Sequence, residues 1–274
     1  MASIISRLVS LFGVNKIRIT GGEPMLRRDI EVFISMLSEI KGIGDLAMTT
    51  NGTLLCEKSA ALKTAGLNRV NISVDSLNPE KFNSITRGGD LEYTKNAVKA
   101  ASDAGLAPVK INTVLLQDFD EEMAFVKWTA ENNYRLRFIE LMPNLFNTYE
   151  AFTGDGPKEN EILDRLSQYY AIEKSGESEP EPGCHVNRYR ISELDSTIEF
   201  IPGVSEPFCD DCNRFRIDCQ GKVRSCLYSD TVLNLSDYIE SPDEEFALAV
   251  VKFLSGKADR PLNHIGSGMS SIGG

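Results

Sequence analysis

Apolar and polar positions change register in a regular rhythm through the first 143 residues. Five short runs rich in Val, Ile and Leu read as strands: Lys16–Thr20, Leu46–Thr50, Arg69–Asp75, Val109–Leu116 and Leu136–Met142. Helical spacing fills the gaps between them. It is clearest in Asp29–Ile40, where Ile30, Phe33, Ile34, Leu37 and Ile40 form one stripe, and continues in Leu91–Ala104 and Glu121–Asn132. The strand runs lack clean alternation, as strands covered on both faces do. Strand–helix alternation with such strands predicts an α/β fold built on a parallel sheet. At the start, Ile4, Ile5, Leu8, Leu11 and Phe12 fall on one helical face, which predicts a core-facing helix. The same opening stretch has arginines and serines and no acidic residue, so the competing expectation is an organelle transit peptide.

Polar residues gather where the strands end: Thr20, Gly21, Gly22 and Glu23; Thr49, Thr50 and Asn51; Ser73, Asp75 and Ser76; Asn112; Glu140. In parallel α/β folds the carboxyl ends of the strands carry the site. Five strands are too few to close a parallel barrel, and a parallel sheet expects a strand ahead of the opening helix. The pattern therefore predicts a parallel α/β sheet over residues 1–143 that lacks a strand ahead of its opening helix. After Met142 the rhythm breaks. Lys158–Tyr170 reads as a helix, Gly176–Gly183 as an acidic loop, and Tyr189–Ser192 and Thr197–Pro202 as short strands. A hairpin turning at Gln220–Gly221 and an amphipathic helix over Glu244–Lys257 complete an α+β extension over residues 144–274.

A formal charge of −11 and a pI near 4.8 argue against the broad basic surface that nucleic acid or an anionic membrane requires. No apolar run approaches the ~18–20 residues of a membrane span. The chain has 6 cysteines and no secretory signal, which points to a reducing compartment. Five of them follow position 183, a clustering that favours metal chemistry over disulfides.

The densest chemistry lies in Cys209–Cys226, CDDCNRFRIDCQGKVRSC. Cys209 and Cys212 form C-x2-C, and thirteen residues separate Cys212 from Cys226. Four thiolates, with Cys219, would close a zinc site; three would suit a [4Fe–4S] cluster with one open iron, and spacing alone leaves both readings standing. In an extended segment Arg214 and Arg216 share one face and Cys219 points to the other. Paired guanidiniums suit phosphate, which they grip with planar, charge-assisted hydrogen bonds. Gly21 and Gly22 follow a strand and let backbone approach a ligand closely. Cys56, Cys184, His185 and His264 have no partners at ligand spacing.

The segments TGGEP (Thr20–Pro24), TTNG (Thr49–Gly52), NISVDS (Asn71–Ser76), VKINTV (Val109–Val114) and the C-x2-C-N-R-x-R…C run together resemble the radical S-adenosylmethionine enzymes. Among these the chain is most similar to the GTP 3′,8-cyclases of molybdenum cofactor biosynthesis, over nearly its whole length to the terminal Gly273–Gly274. The resemblance implies that residues 1–143 form an incomplete (β/α)6-type partial TIM barrel, and that Cys209, Cys212 and Cys226 hold a [4Fe–4S] cluster whose open iron receives the guanine base. It implies that Arg18, Thr49, Lys110, Arg214 and Arg216 bind GTP, and that Gly22, Ser73 and Met142 bind S-adenosylmethionine. The implied reaction is radical cyclisation of GTP between ribose C3′ and guanine C8. A second [4Fe–4S] cluster, held by C-x3-C-x2-C ahead of GGEP, belongs to the family. No cysteine precedes Cys56, so an amino-terminal segment carrying those ligands is expected to be missing here, and radical-generating residues are unassigned. The expected partners are GTP, S-adenosylmethionine and a downstream cyclic pyranopterin monophosphate synthase. A homodimer is left open, and no nucleic acid or membrane partner is expected. The expected compartment is the cytoplasm, or the mitochondrial matrix in a eukaryote. Two alternatives remain: a non-catalytic iron–sulfur or zinc-binding module, and another radical S-adenosylmethionine enzyme with an auxiliary cluster.

Overall fold

The structure is a computed structural model of the 274-residue chain and describes residues 1–142, 156–175, 186–206, 209, 212–226, 229 and 231–256. The Gly176–Gly183 loop, Cys184, His185, His264 and Gly273–Gly274 lie outside the described residues. In chain order the first elements are α1 (Ala2–Phe12), β1 (Lys16–Ile19), α2 (Ile30–Ser38), β2 (Asp45–Thr50) and α3 (Leu55–Thr64). There follow β3 (Arg69–Ser73), α4 (Pro79–Thr86), α5 (Leu91–Asp103), β4 (Lys110–Leu115), α6 (Glu122–Glu131) and β5 (Arg135–Glu140). The remaining elements are α7 (Glu159–Leu166), β6 (Ile172–Lys174), β7 (Asn187–Ile191), β8 (Ser196–Ile201), β9 (Arg216–Ile217), β10 (Lys222–Arg224), β11 (Leu233–Asn234) and α8 (Asp243–Ser255). All five strands expected before residue 143 are present, within two residues at each end.

The chain divides into two compact units. The first comprises Met1–Thr49, Ala60–Asn68 and Asn213–Gly274; the second comprises Thr50–Ser59 and Arg69–Cys212. In the first unit β1 and β2 run parallel, Arg18 in register with Ala47. The opening helix is core-facing, as its periodicity predicts. Ile4 and Leu8 of α1 join Val223, Leu235, Phe246 and Val250 in one buried cluster. Arg7 ties this helix to α8, donating to the Tyr238 and Ser241 carbonyls and pairing with Asp243 at 2.8 Å. Three short antiparallel strands, β9, β10 and β11, form a separate small sheet.

In the second unit β3, β4, β5 and β8 are parallel, and β7 and β6 continue the sheet antiparallel. The sequence pattern places Thr197–Pro202 in the extension after the break. The structure instead adds that run, as β8, to the parallel sheet beside β5. The reason lies in alternation: Ile198 and Phe200 are both at most 2% exposed and continue the apolar face of Leu136 and Phe138. Phe138 lies 5.3 Å from Phe200 and 5.6 Å from Phe119, centroid to centroid. Each such ring contributes about 2–3 kcal/mol by leaving water.

Two helices escape the periodicity reading. α4 has the signature of a capped start: Pro79 at its first turn, and the Asn78 side chain accepting from the Glu80 and Lys81 N–H groups. α3 has almost no amphipathic contrast, its apolar residues being spread around the helix.

Candidate functional site

The apolar side of β4 presents Ile111, Thr113 and Leu115, all buried, so Lys110, Asn112 and Val114 point to the opposite face. On that face one polar row crosses five strands. Ser73 of β3 is in register with Asn112 of β4, Asn112 with Arg137 of β5, Arg137 with Glu199 of β8, and Glu199 with Arg188 of β7.

Glu199 is the anchor of the row. Its Oε2 accepts from Arg137 Nε at 2.9 Å and from Arg137 Nη2, and its Oε1 accepts from Arg188 Nε at 3.2 Å. Lys110 approaches from the amino end of β4, with Nζ 3.6 Å from Glu199 Oε2. The carboxylate is 1% exposed and Lys110 9%. Burial pushes Glu199 upward, but Arg137, Lys110 and Arg188 outweigh it and hold the carboxyl down at about 2. Burial, followed by the Arg137 charge, lowers Lys110 to about 8 against the opposing pull of Glu199. Asn112 Oδ1 is buried without a hydrogen-bond partner among the described residues. An orphaned acceptor between Ser73 and Arg137 suits a ligand bearing a hydroxyl or N–H group.

Beyond the strand ends, Asp75 Oδ1 accepts from the Val114 N–H at 2.9 Å. Its burial raises the carboxyl to about 6, and the Val114 bond only partly offsets this. Glu140 closes β5 and gathers the turn after β8, accepting from Val204 N at 2.7 Å, Ser205 N at 2.8 Å and Ser205 Oγ at 3.1 Å. Met142 packs against that turn, so closely that a Cβ at Gly203 would stand 3.2 Å from its sulfur. The Cys212 N–H donates to the Cys209 carbonyl at 3.3 Å.

The first unit carries the other expected residues. Arg18 lies in β1, Thr49 in β2, and Gly22 in the bend after β1. A Cβ placed on Gly22 meets nothing within 4 Å, so the backbone there borders open space. Arg214 precedes β9, and Arg216 within it is the direct cross-strand partner of Arg224 in β10. The hairpin turns at Gln220–Gly221 as the sequence predicts, with Asp218 Oδ1 accepting from the Gln220 and Lys222 N–H groups. Cys219 is exposed in this turn, and Cys226 follows β10. Among the described residues, no three Cys, His, Asp or Glu side chains are grouped to hold a metal ion.

Arg137, Glu199 and Arg188 were not singled out by sequence reasoning. The available signal was a lone acid in a strand, Glu199 between Ile198 and Phe200, which requires a cationic partner on the polar face.

Comparison with known proteins decides the family. Residues 2–128 match the Radical SAM superfamily, and residues 134–262 match Molybdenum Cofactor Synthesis C. The GTP 3′,8-cyclase of Pelotomaculum thermopropionicum is 37% identical over 280 residues, covering 98% of this chain and 85% of that protein. The chain belongs to the GTP 3′,8-cyclase family. A second GTP 3′,8-cyclase, from Listeria monocytogenes, is 39% identical over 94% of this chain and 76% of its own length. Two solved structures share the fold of this family member at low identity. Streptococcus suis SuiB bound to S-adenosylmethionine gives a TM-score of 0.60 at 15% identity, over 93% of this chain and 59% of that one. Native anSMEcpe with bound AdoMet and a peptide gives 0.55 at 14% identity, over 93% and 74%. No helix among the described residues is long and apolar enough to cross a membrane.

Proposed function

We propose that this chain serves the GTP 3′,8-cyclase reaction of molybdenum cofactor biosynthesis, with GTP as substrate and S-adenosylmethionine and [4Fe–4S] as cofactors. The observation that carries this reading is the likeness to GTP 3′,8-cyclases over 98% of the chain. The product is (8S)-3′,8-cyclo-7,8-dihydroguanosine 5′-triphosphate, passed on to cyclic pyranopterin monophosphate synthase.

The donor types, though not their grouping among the described residues, suit these groups. Cys209 and Cys212 have the C-x2-C spacing that offers two thiolates to one cluster, and the family resemblance assigns Cys226 as the third. Gly22 borders open space where a ligand backbone contact is needed, and Ser73 and Met142 complete the S-adenosylmethionine set. The buried Asn112 oxygen beside Ser73 accepts a nucleoside hydroxyl. Lys110, Arg18, Arg214 and Arg216 hold the triphosphate with charge-assisted bonds, and Thr49 adds a hydroxyl contact. When bound, the cofactors supply the radical chemistry; this chain's residues bind, orient and shield.

The test is electron paramagnetic resonance of anaerobically reconstituted protein. Reduced protein carries an iron–sulfur signal that GTP changes and ATP leaves alone. Stoichiometric zinc without iron, or a cluster signal indifferent to GTP, overturns the reading.

A further inference from the structure

Glu199 stands at the middle of the polar row and is among the most deeply buried carboxylates described, at 1% exposure. Both of its oxygens are engaged, Oε2 by Arg137 and Oε1 by Arg188. Lys110 is placed differently. Its Nζ lies 3.6 Å from Oε2, within ion-pair range but beyond a hydrogen bond, and it makes no other ion pair among the described residues. Its three donors are therefore available to a ligand while its charge is anchored.

The groups facing Lys110 come from every neighbouring strand. Glu199 approaches from β8, Arg137 and Arg135 from β5, and Arg69 from β3, while Arg188 of β7 lies on the far side of Glu199. Among the described groups that act on Lys110, Glu199 is the one that favours its charged form.

We infer that Glu199 is a positioning residue: its carboxylate fixes Arg137 and anchors the Lys110 ammonium, and so sets the pH range over which Lys110 holds an anionic substrate. This rests on the proposal that Lys110 contacts GTP, and it names the group that governs that contact. The supporting electrostatics have a definite sign. Burial and the surrounding arginines lower Lys110 to about 8, and Glu199 opposes them. The ammonium is present below that value and is lost as pH rises through it. Replacing Glu199 by a neutral amide removes the opposing charge, so the loss moves to lower pH.

The experiment has a ligand-free arm and a ligand arm. In the first, protein labelled with 13Cε-lysine is titrated by NMR, and Lys110 is assigned from the signal missing in Lys110→Arg. Wild-type Lys110 titrates near pH 8. In Glu199→Gln the midpoint moves to about pH 7 or below, and in Glu199→Asp it moves less far. In the second arm, GTP affinity is measured between pH 7 and 9. It declines with the Lys110 midpoint in wild type and declines earlier in Glu199→Gln, so that the variant binds at least about fivefold more weakly than wild type at pH 8. It loses this pH dependence in Lys110→Arg. Circular dichroism and melting confirm folding, and if Glu199→Gln does not fold, Glu199→Asp carries both arms. An unmoved Lys110 midpoint in a folded Glu199 variant overturns the inference. A midpoint that moves while the pH dependence of GTP affinity is the same in Lys110→Arg as in wild type overturns the substrate contact and leaves Glu199 as a charge anchor only.

Discussion

Arg216 of β9 and Arg224 of β10 are direct cross-strand partners, two guanidinium-bearing side chains set opposite one another in a small three-stranded sheet. Like charges so placed repel by a few tenths of a kcal/mol up to about 1 kcal/mol. Arg224 is steadied by donating to the Ser229 carbonyl at 3.0 Å. An anion received beside them would offset that repulsion, which is the role proposed for arginines set among these cysteines.

The first prediction follows from that pair. Arg214→Ala and Arg216→Ala each weaken GTP binding by about 1.5–3 kcal/mol, roughly ten- to a hundred-fold. Arg→Lys at either position recovers only part of the affinity, since the planar fork is lost. Titration calorimetry and melting curves on protein of matched iron content check both halves. A parallel loss of stability and affinity would make the arginines structural.

Gly22 gives a sharper separation of folding from binding. A methyl group there meets nothing within 4 Å, so Gly22→Ala folds with wild-type stability. The same methyl occupies space proposed for S-adenosylmethionine, and equilibrium dialysis is expected to show affinity lowered at least tenfold. Unchanged affinity in the folded variant would remove Gly22 from the binding set.

Asp75 supplies a pH signature for stability. Its folded value, about 6, stands above the ordinary carboxylate range, so the native state holds its proton more tightly than the unfolded chain does. Its contribution is most favourable below about pH 4 and is lost as pH rises through about 6. Asp75→Asn still accepts from the Val114 N–H through its amide oxygen. The variant is expected to be more stable than wild type at pH 8 by up to about 3 kcal/mol, and little different at pH 4. Denaturant melts at the two pH values check the sign; greater stability of the variant at pH 4 than at pH 8, relative to wild type, contradicts it.

The cysteines predict their own chemistry. Anaerobic reconstitution is expected to give about four irons and four sulfides per chain, with Cys209, Cys212 and Cys226 as ligands. Cys226→Ser lowers the iron content, and Cys219→Ser leaves it unchanged, because Cys219 sits exposed in the hairpin turn. Equal loss in both variants would restore the four-thiolate reading.

How far these features were legible depended on which physical signal each one left in the chain. Ile30, Ile34 and Leu37 announce α2 through helical spacing, and all three are fully buried in it. The turn at Gln220–Gly221 was legible from its Gly, which takes a φ of 85° that other residues avoid. Asn112 was visible as a polar strand residue, but its orphaned oxygen depends on the strands beside it. The Arg137–Glu199 pair joins positions 62 apart in sequence, and only the parallel pairing of β5 with β8 brings them into register. Position along the chain carries no trace of such a pairing. α4 was legible in principle from the Asn78–Pro79 cap; an eight-residue helix offers too few turns for periodicity to register.

The most direct measurement is a titration of the reconstituted wild-type protein with GTP, ATP and guanosine under anaerobic conditions. The account predicts that GTP binds more tightly than ATP, because the base is recognised, and at least tenfold more tightly than guanosine, because the arginines and Lys110 hold the triphosphate. Equal affinity for GTP and guanosine, or for GTP and ATP, in protein with its iron intact would contradict it.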